Sequence, residues 1–324
     1  MPITSVTRDT KALTLTVVAD FRAGVQRLWD AYADPRQFEQ FWGPPTWPAT
    51  FTRHDAAAGG RSAYTMKGPG GDTHGGYWEW LSVEPLKSFE VRDGFATPAG
   101  EPDPELPSMR MQFVFEENEE GSRVTTTTYF NSLADFEQLL EMGMEEGLRE
   151  AMSQMDPVLA DLTSFAAGQA TITQILSDTQ ARISRVIRGT VEQVWRAHHE
   201  PELLQRWLLG PEGWTMPVCE VATTVGEKYR YEWEPVDGAE GRFGFEGELL
   251  ESAPPNRAVT TERMIGMPGE GTANELTLTP VAAGTLLTLV ITFPDANTRD
   301  AILATGMTDG METSYTRLET DVLT

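Results

Sequence analysis

The sequence predicts an α+β protein built from two tandem modules, each with an antiparallel sheet and a long C-terminal helix. Three observations lead to this prediction: a chain of 324 residues, an ordered internal repeat, and in each half a series of strands that ends in an amphipathic helix. The length suits two domains of about 150 residues. A domain of that size buries roughly 68–70% of its unfolded surface, which is enough for a core of its own.

The repeat consists of matched residues that recur in the same order in both halves. The stretch QFWGPPTWPATF (40–51) returns as RWLLGPEGWTMPVCEV (206–221), and Phe130 is matched by Phe293, 163 positions later. Matches that keep their order along both halves indicate a tandem duplication. The segment TSFAAGQAT is small and polar, as expected of the joint. We therefore predict two domains, at residues 1–165 and 172–324.

The first elements of each half follow from apolar spacing and from helix signals. Alternating apolar residues in LTLTVVADF predict a strand with one buried face, and GVQRLWDAYAD has apolar residues at helical spacing. Pro35 fits the first turn of a second short helix, which ends at Gly43 and Pro44. In the second half, Thr190 and Gln193 form a capping box ahead of the corresponding first helix.

The remaining strands and the final helix complete each module. MKGPGGDTHGGYWEW is typical of two strands around a glycine-rich turn, and MRMQFVF and RVTTTTYF continue the sheet, as KYRYEW and LLTLVITF do in the second half. The closing segment of the first half has Met144 and Leu148 on one side and Glu145, Glu146 and Glu150 away from it. The apolar face of the sheet must be buried, and the final helix is its natural partner.

The charge balance and the single cysteine exclude several classes of protein. There are 25 Lys and Arg residues against 49 Asp and Glu, a formal net charge of -24. Such a surface repels phosphate backbones and anionic lipids, so we expect no nucleic-acid partner. One cysteine excludes an intramolecular disulfide, and no apolar run approaches 18 residues. With no signal-peptide pattern, we expect a cytoplasmic protein without a membrane span.

A search for catalytic and metal-binding patterns finds no complete set. His198 and His199 point about 100° apart on a predicted helix, and His54 and His74 have no Cys or His at ligand spacing. Cys219 lies in an apolar strand, where a small buried hydrophobic role is expected. We therefore predict no catalytic residue, no metal and no cofactor. Three carboxylates remain as acid–base candidates if the fold places them in a cavity: Asp72, Glu79 and Asp93.

Several stretches resemble one known superfamily. The first half resembles the START-like (SRPBCC) superfamily, in the branch related to the activator of heat-shock-protein ATPase. The segments that carry the resemblance are FWGPPTWPATF, the GPGG hairpin, DGFA at 93–96 and GMEEGL, which opens the final helix. The second half resembles the same branch at GPEGWTMPVCEV and GMTDGM, and it departs from the pattern of the branch at EPVDGAEG. The resemblance covers about residues 10–162 and 178–323. It implies a helix-grip fold, a curved antiparallel sheet around the long helix with a cavity between them. It does not identify a ligand.

The cavity implied by this resemblance would be lined by aromatic and sulfur-containing side chains that face inward. Thirteen methionines suit an adaptable apolar pocket, although plain core packing is the alternative for each residue. We interpret the repeated Gly-Pro motif as a folding signature and not as a ligand contact. The predicted ligand-binding residues are Tyr64, Met66, Trp78, Trp80, Met111, Phe113, Thr126, Thr128, Met144 and Leu148 in the first half, and Tyr231, Trp233, Leu289, Ile291, Met307 and Met311 in the second.

One strand differs between the halves in a way that bears on binding. Thr126 and Thr128 are matched by Leu289 and Ile291 in the second half. If this face of the strand points inward, the first half has buried hydroxyls, which need hydrogen-bond partners, where the second has aliphatic carbons. We therefore expect the first half to be the better ligand site and the second to be more structural.

Three functions are compatible with these observations. The first is non-enzymatic binding, with sequestration or protection as its purpose, of a hydrophobic or aromatic small molecule. The second is a protein-interaction module, as in the co-chaperone relatives, with a protein partner. The third is an enzyme, a polyketide cyclase or aromatase or a hydrolase, as in other START-like branches. Because no catalytic set is evident, we favour the binder.

Overall fold

The structure, a computed structural model, describes residues 2–97, 100–161, 170–210, 212–238 and 240–323. The chain divides into two compact units, residues 1–165 and 166–324. Each unit has an eight-stranded antiparallel sheet followed by helices, which confirms the predicted α+β class. No helix in these ranges has the length and apolar character needed to cross a bilayer.

The sheet of the first unit is a meander closed by its two N-terminal strands. In spatial order it runs β1-β2-β8-β7-β6-β5-β4-β3, so β2 pairs with β8 although about a hundred residues separate them. The apolar face predicted for the first strand is present, because buried and half-buried residues alternate along β2. The strands are β1 (Ile3–Asp9), β2 (Thr14–Phe21), β3 (Ala49–His54), β4 (Arg61–Lys67), β5 (Thr73–Glu84), β6 (Ser88–Ala96), β7 (Met109–Asn118) and β8 (Gly121–Tyr129).

Two short helices of the first unit lie between β2 and β3, and three more follow β8 within the described residues. Pro35 occupies the first turn of the second helix, as predicted, and the Asp34 side chain accepts a hydrogen bond from the Arg36 amide. Because Pro lacks an N–H and has a fixed φ, it fits a helix start. The helices are α1 (Val25–Ala33), α2 (Pro35–Phe38), α3 (Leu133–Glu141), α4 (Met144–Ser153) and α5 (Met155–Ala160).

The predicted long final helix of the first unit begins after Gly143 and is interrupted at Gln154. Gly143 has φ 87°, a left-handed conformation that favours glycine, and α4 begins directly after it. Gln154 separates α4 from α5. The amphipathic pattern is as predicted, since Leu148 and Met152 are buried and Glu145 lies with the polar side chains.

The second unit repeats this arrangement, with the strand order β11-β12-β13-β14-β15-β16-β10-β9. The predicted capping box is present, because the Gln193 amide bonds the Thr190 hydroxyl and the Gln193 side chain accepts from the Thr190 amide. The strands are β9 (Ile172–Ile175), β10 (Gln180–Ile187), β11 (Trp214–Glu220), β12 (Lys228–Pro235), β13 (Phe243–Ala253), β14 (Arg257–Met264), β15 (Thr272–Val281) and β16 (Gly284–Thr292). The helices are α6 (Val191–His199), α7 (Pro201–Trp207), α8 (Ala296–Leu303), α9 (Met307–Arg317) and a π-helical segment, Leu318–Val322.

The repeated Gly-Pro motif ties the C-terminal helices to the rest of each unit. In the first unit, Nε2 of Gln154 donates to the carbonyls of Phe41 and Gly43, at 3.2 and 2.8 Å. In the second, Nη1 of Arg317 donates to the carbonyl of Gly210 at 2.7 Å. Gln154 and Arg317 are 163 positions apart, the spacing of the repeat in this region. The duplicated motif therefore anchors the same helix in both units.

Candidate functional site

A cavity of about 130 Å³ lies between the sheet and α4 of the first unit. Apolar cavities of about 150 Å³ hold benzene, whereas pockets for drug-sized ligands begin at about 300 Å³. The cavity is therefore matched to a single small ring. Its wall consists of the Gly-Pro motif, three strands and one face of the helix: Trp42, Gly43, Pro44, Met66, Asp93, Met111, Met144, Gly147, Leu148 and Ala151.

Two glycines shape the cavity in opposite ways. Gly43 has φ 96°, and a Cβ there would lie 2.6 Å from the carbonyl oxygen of Trp47 and 3.1 Å from Cε of Met66. Glycine is therefore required for the motif to close against β4. A Cβ on Gly147, in contrast, would meet no atom within 4 Å. The helix could carry a side chain at this position, and its absence leaves space at the cavity wall.

Asp93 is the one ionisable side chain among the residues that line the cavity. It lies in β6 opposite Trp78 of β5 and Met109 of β7, and it is 8% exposed. Its Oδ1 accepts hydrogen bonds from Nε1 of Trp78 at 2.7 Å and from the Tyr64 hydroxyl at 3.5 Å. Burial raises the pKa of Asp93 to about 7, although the bonds from Trp78, Tyr64 and the Gly94 amide act against this rise. The group therefore changes charge near neutral pH.

Four of the predicted binding residues of the first unit line the cavity: Met66, Met111, Met144 and Leu148. Tyr64 and Trp78 are not among the lining residues, but both donate hydrogen bonds to Asp93, which is. Trp80 donates to the Ser62 hydroxyl at 2.9 Å, and Phe113 is stacked on Phe89 with ring centroids 4.5 Å apart. Trp80 and Phe113 are thus part of the aromatic core, the alternative considered for each residue.

Thr126 and Thr128 face inward, yet they do not line the cavity. Both are fully buried, and neither hydroxyl has a hydrogen-bond partner among the described residues. Thr128 lies directly opposite Met111, which does line the cavity, and Thr126 lies opposite Phe113. The hydroxyls are therefore one strand removed from the cavity wall, and a role in binding remains a prediction.

The predicted binding residues of the second unit are packed against one another. Leu289 and Ile291 contact the core cluster that includes Met307 and Met311. Trp233 is stacked on Phe243, with centroids 5.2 Å apart, and its Nε1 donates to the carbonyl of Leu208 at 2.7 Å. Tyr231 packs against Tyr229, with centroids 5.0 Å apart. Burial raises the Tyr231 pKa above its ordinary value, so the hydroxyl stays neutral.

The second unit also has a carboxyl, partly buried, at the position of Asp93. The hairpin that leads into each strand gives the match, because Glu84 pairs with Ser88 in the first unit and Ala253 pairs with Arg257 in the second. Asp93 lies five residues after Ser88, and Glu262 lies five residues after Arg257. Glu262 accepts a hydrogen bond from the Tyr229 hydroxyl at 3.3 Å. Burial raises the pKa of Glu262, while hydrogen bonds from the side chains of Tyr229 and Asn274 oppose the rise.

The other sequence candidates lie outside the cavity. Asp72 is exposed, and Glu79 forms ion pairs with Arg61 and Arg92. Nδ1 of His198 bonds the carbonyl of Val194 on the same helix, and burial lowers the pKa of His198 to about 4. The Cys219 thiol has its pKa raised to about 11 by burial. Among the described residues, no three His, Cys, Asp or Glu side chains are grouped as metal ligands.

Sequence reasoning missed five residues of the cavity wall, which are Trp42, Gly43, Pro44, Gly147 and Ala151, and named Asp93 only as an acid–base candidate. Trp42, Gly43 and Pro44 belong to the motif that we interpreted as a folding signature without ligand contact, and the same residues line the cavity. The repeat did not reveal that the motif lines a cavity, because the motif occurs in both units. For Asp93, the signal was an acidic residue on the same face of its strand as the apolar Phe89 and Val91.

Comparison with known proteins gives the same family twice along the chain. The family model described as Activator of Hsp90 ATPase homolog 1-like protein matches residues 22–160 and again residues 188–322. No match was found among curated proteins.

Solved structures of single-module proteins also match. A crystal structure from Mycobacterium smegmatis is 43% identical over 49% of this chain and 98% of its own, with a TM-score of 0.47. An NMR structure from Arthrobacter aurescens is 43% identical over 49% of this chain and 92% of its own, with a TM-score of 0.47. A crystal structure from Rhodobacter sphaeroides is 30% identical over 47% and 96%, with a TM-score of 0.44. The chain therefore belongs to the family of Activator of Hsp90 ATPase homolog 1-like proteins, as a tandem pair of START-like modules.

Proposed function

We propose that the protein binds a small hydrophobic or aromatic molecule, without converting it, in the cavity of the first unit. The observation that carries the proposal is the composition of the cavity wall: three methionines, Leu148 and Trp42 around a space of about 130 Å³. Methionine side chains are flexible and polarisable, so they adapt to an apolar guest. A cavity of this size and lining is sufficient for one aromatic ring.

Binding is favoured over catalysis because the wall offers one titratable group and no second one to act with it. Asp93, with a pKa of about 7, has the property expected of a general acid or base. The other nine lining residues carry no ionisable group. Acid–base or nucleophilic chemistry on a bound molecule ordinarily needs at least a pair of polar groups in defined positions.

The methionine methyl groups provide a direct test. We would label the full chain with ¹³C-methyl methionine and titrate it with toluene, a probe of the right size. We expect shifts in the signals of Met66, Met111 and Met144, while Met307 and Met311 of the second unit stay unchanged. Met267, which is 62% exposed, reports non-specific effects.

A matched pair of variants separates the two units. Gly147→Leu should fill the cavity and abolish the toluene shifts, because the new side chain enters open space. Gly310→Leu changes the corresponding helical position of the second unit, which is equally open, and should leave the shifts intact. Unchanged methionine spectra in the wild-type protein at saturating toluene, or shifts confined to the second unit, would contradict the proposal.

A further inference from the structure

The Asp93 carboxyl is a charged group in a wall that is otherwise apolar. Both side-chain hydrogen bonds that it accepts end on Oδ1. A carboxylate has two oxygens and about four acceptor positions, so these two bonds leave acceptor capacity at the cavity. A carboxylate removed from water is costly unless it is paired with a cation or strongly hydrogen-bonded.

No cation of the described residues compensates the Asp93 charge. The groups that act on it are the Trp78 and Tyr64 side chains and the Gly94 amide, all neutral, and Tyr77 of β5 is the further titratable group close by. From α4, the residues at the cavity are Met144, Gly147, Leu148 and Ala151, which carry no charge. The one cationic residue of this helix, Arg149, pairs with Glu145, and its other charged residues, Glu146 and Glu150, are acidic.

The flanking residues Met109 and Met111 of β7 are likewise uncharged, and Arg110 between them is paired with Glu90. Every element packed around Asp93 therefore leaves its charge uncompensated. Trp42 also lies at the cavity, with its ring edge-on to Trp78 at 4.9 Å. Tryptophan is the aromatic side chain whose π-face attracts cations most strongly.

We infer that the cavity of the first unit is specific for a small aryl or alkyl molecule that carries a protonated amine, with the amine bound by the Asp93 carboxylate and the apolar part packed against the methionines. The inference rests on the proposed function and adds the chemical class of the ligand. A carboxylate without a cationic partner, a neighbouring indole and a space for about one ring together match an arylalkylamine. The amine would supply the charge that the protein does not.

Three probes of nearly equal size test this inference on the full chain at about pH 8: benzylamine, which is protonated, and benzyl alcohol and toluene, which are neutral. With affinities measured from the same methionine signals, we expect benzylamine to bind at least about tenfold more tightly than benzyl alcohol, because hydrogen bonds to charged groups are the stronger ones. Asp93→Asn keeps the shape and an acceptor for Trp78. This variant should remove the preference, so that benzylamine and benzyl alcohol bind with similar affinity.

Two controls keep the inference falsifiable. Glu262→Gln removes a partly buried carboxyl from the matching position of the second unit and should preserve the preference for benzylamine. In the wild-type protein the preference should decline as the pH falls from about 8 to about 6, because Asp93 becomes protonated, and this readout does not depend on the folding of a variant.

Equal binding of all three probes would overturn the inference while the proposed function stands. If the preference for benzylamine survives in Asp93→Asn, it comes from the acidic surface of the protein, and this result would also overturn the inference. Failure of toluene and the other probes to bind at all would contradict the proposed function itself.

Discussion

At the same place beneath the C-terminal helix, the first unit has Ala19 and the second has Arg185. Ala19 pairs with Val124 in the sheet, and Arg185 pairs with Leu287, the residue matched to Val124. The Arg185 guanidinium donates to both oxygens of Glu312 in α9, at 3.0 and 3.1 Å, and lies 3.4 Å from Glu319. The two units thus share a fold and differ in what fills it.

A second matched pair differs in the same direction. Met66 lines the cavity of the first unit, and Trp233, 167 positions later, packs on Phe243. In both units this side chain approaches the glycine of the Gly-Pro motif, Gly43 or Gly210. A flexible side chain borders the cavity of the first unit, whereas the matched side chain of the second unit is a large ring bonded to the backbone. The motif and topology are thus the same in both units, while the interior side chains beside the motif differ.

The largest effect is expected from removal of the buried guanidinium of the second unit. Arg185→Ala should destabilise this unit by about 3–5 kcal/mol, because Glu319, which is 8% exposed, and Glu312 lose their buried partner. Hydrogen exchange of peptides from each unit of the full chain measures the loss.

Arg188→Ala is the matched control for Arg185→Ala. Arg188 contacts the same Glu319, but its side chain is 71% exposed, so its loss should cost at most about 1 kcal/mol. Equal losses for the two variants, or faster exchange in the first unit, would show that the ion pair is not what fills the second unit.

The next effect concerns the matched carboxyls. The folded-state pKa of Asp93 lies above its value of 3.8 in an unfolded chain, so the stability linked to its neutral form is complete below about pH 4 and is lost as the pH rises through about 7. Asp93→Asn should therefore be more stable than the wild type by about 2–4 kcal/mol at about pH 9, and equal to it at about pH 4. Denaturation at several pH values checks this.

Glu262→Gln sharpens the same comparison. The Glu262 pKa is also raised by burial, but Glu262 is partly exposed, whereas Asp93 is 8% exposed. The gain at alkaline pH should be smaller than for Asp93→Asn. A larger gain for the second unit would mean that its carboxyl, and not Asp93, is the more poorly compensated of the two.

Much of this comparison could be predicted from the sequence, and the limit of prediction is physical. Alternation and helix signals predicted the elements, and the repeat predicted two modules. The inward side of the strand with Thr126 and Thr128 was a condition that the sequence left open, and both residues are buried. The edge strands β1 and β9 were not predicted, because β1 has an irregular burial pattern and β9 has four residues, so neither has a clear alternation.

The site was predicted less completely than the fold. Met66, Met111, Met144 and Leu148 were named because inward sulfur and aliphatic side chains are expected around a cavity. Whether such a side chain borders space or fills it depends on neighbours distant in sequence, as for Trp233. The role of Gln154 at the Gly-Pro motif joins residues more than a hundred positions apart, and no local pattern predicts it.

A smaller effect is expected at the two threonines of β8. Thr126→Val with Thr128→Val should stabilise the first unit by about 1–2 kcal/mol, because each change removes a buried hydroxyl that has no partner among the described residues. Thr285→Val is the control in the second unit, where the hydroxyl donates to the carbonyl of Gly189 at 2.8 Å, and it should cost about 1 kcal/mol. The affinity for benzyl alcohol, a probe whose hydroxyl is able to bond a threonine hydroxyl, should hardly change. A marked fall in this affinity would show that the threonine hydroxyls contact the ligand.

The smallest effect is expected at the open helical glycines. Gly147→Ala and Gly310→Ala should each stabilise their unit by about 0.5–1 kcal/mol, because a Cβ meets no atom within 4 Å and alanine loses less entropy in a helix. Chemical denaturation of the two variants measures both gains. A loss of stability at either position would show that the helix is closer to the sheet there than the structure indicates.

The most direct measurement is a crystal structure of the full chain soaked with toluene. The account predicts electron density for one ring in the first unit, between α4 and the strands that carry Met66, Asp93 and Met111, and none within the second unit beneath α9. Density beneath α9 in place of this site, or an empty first unit at saturating toluene, would contradict the account.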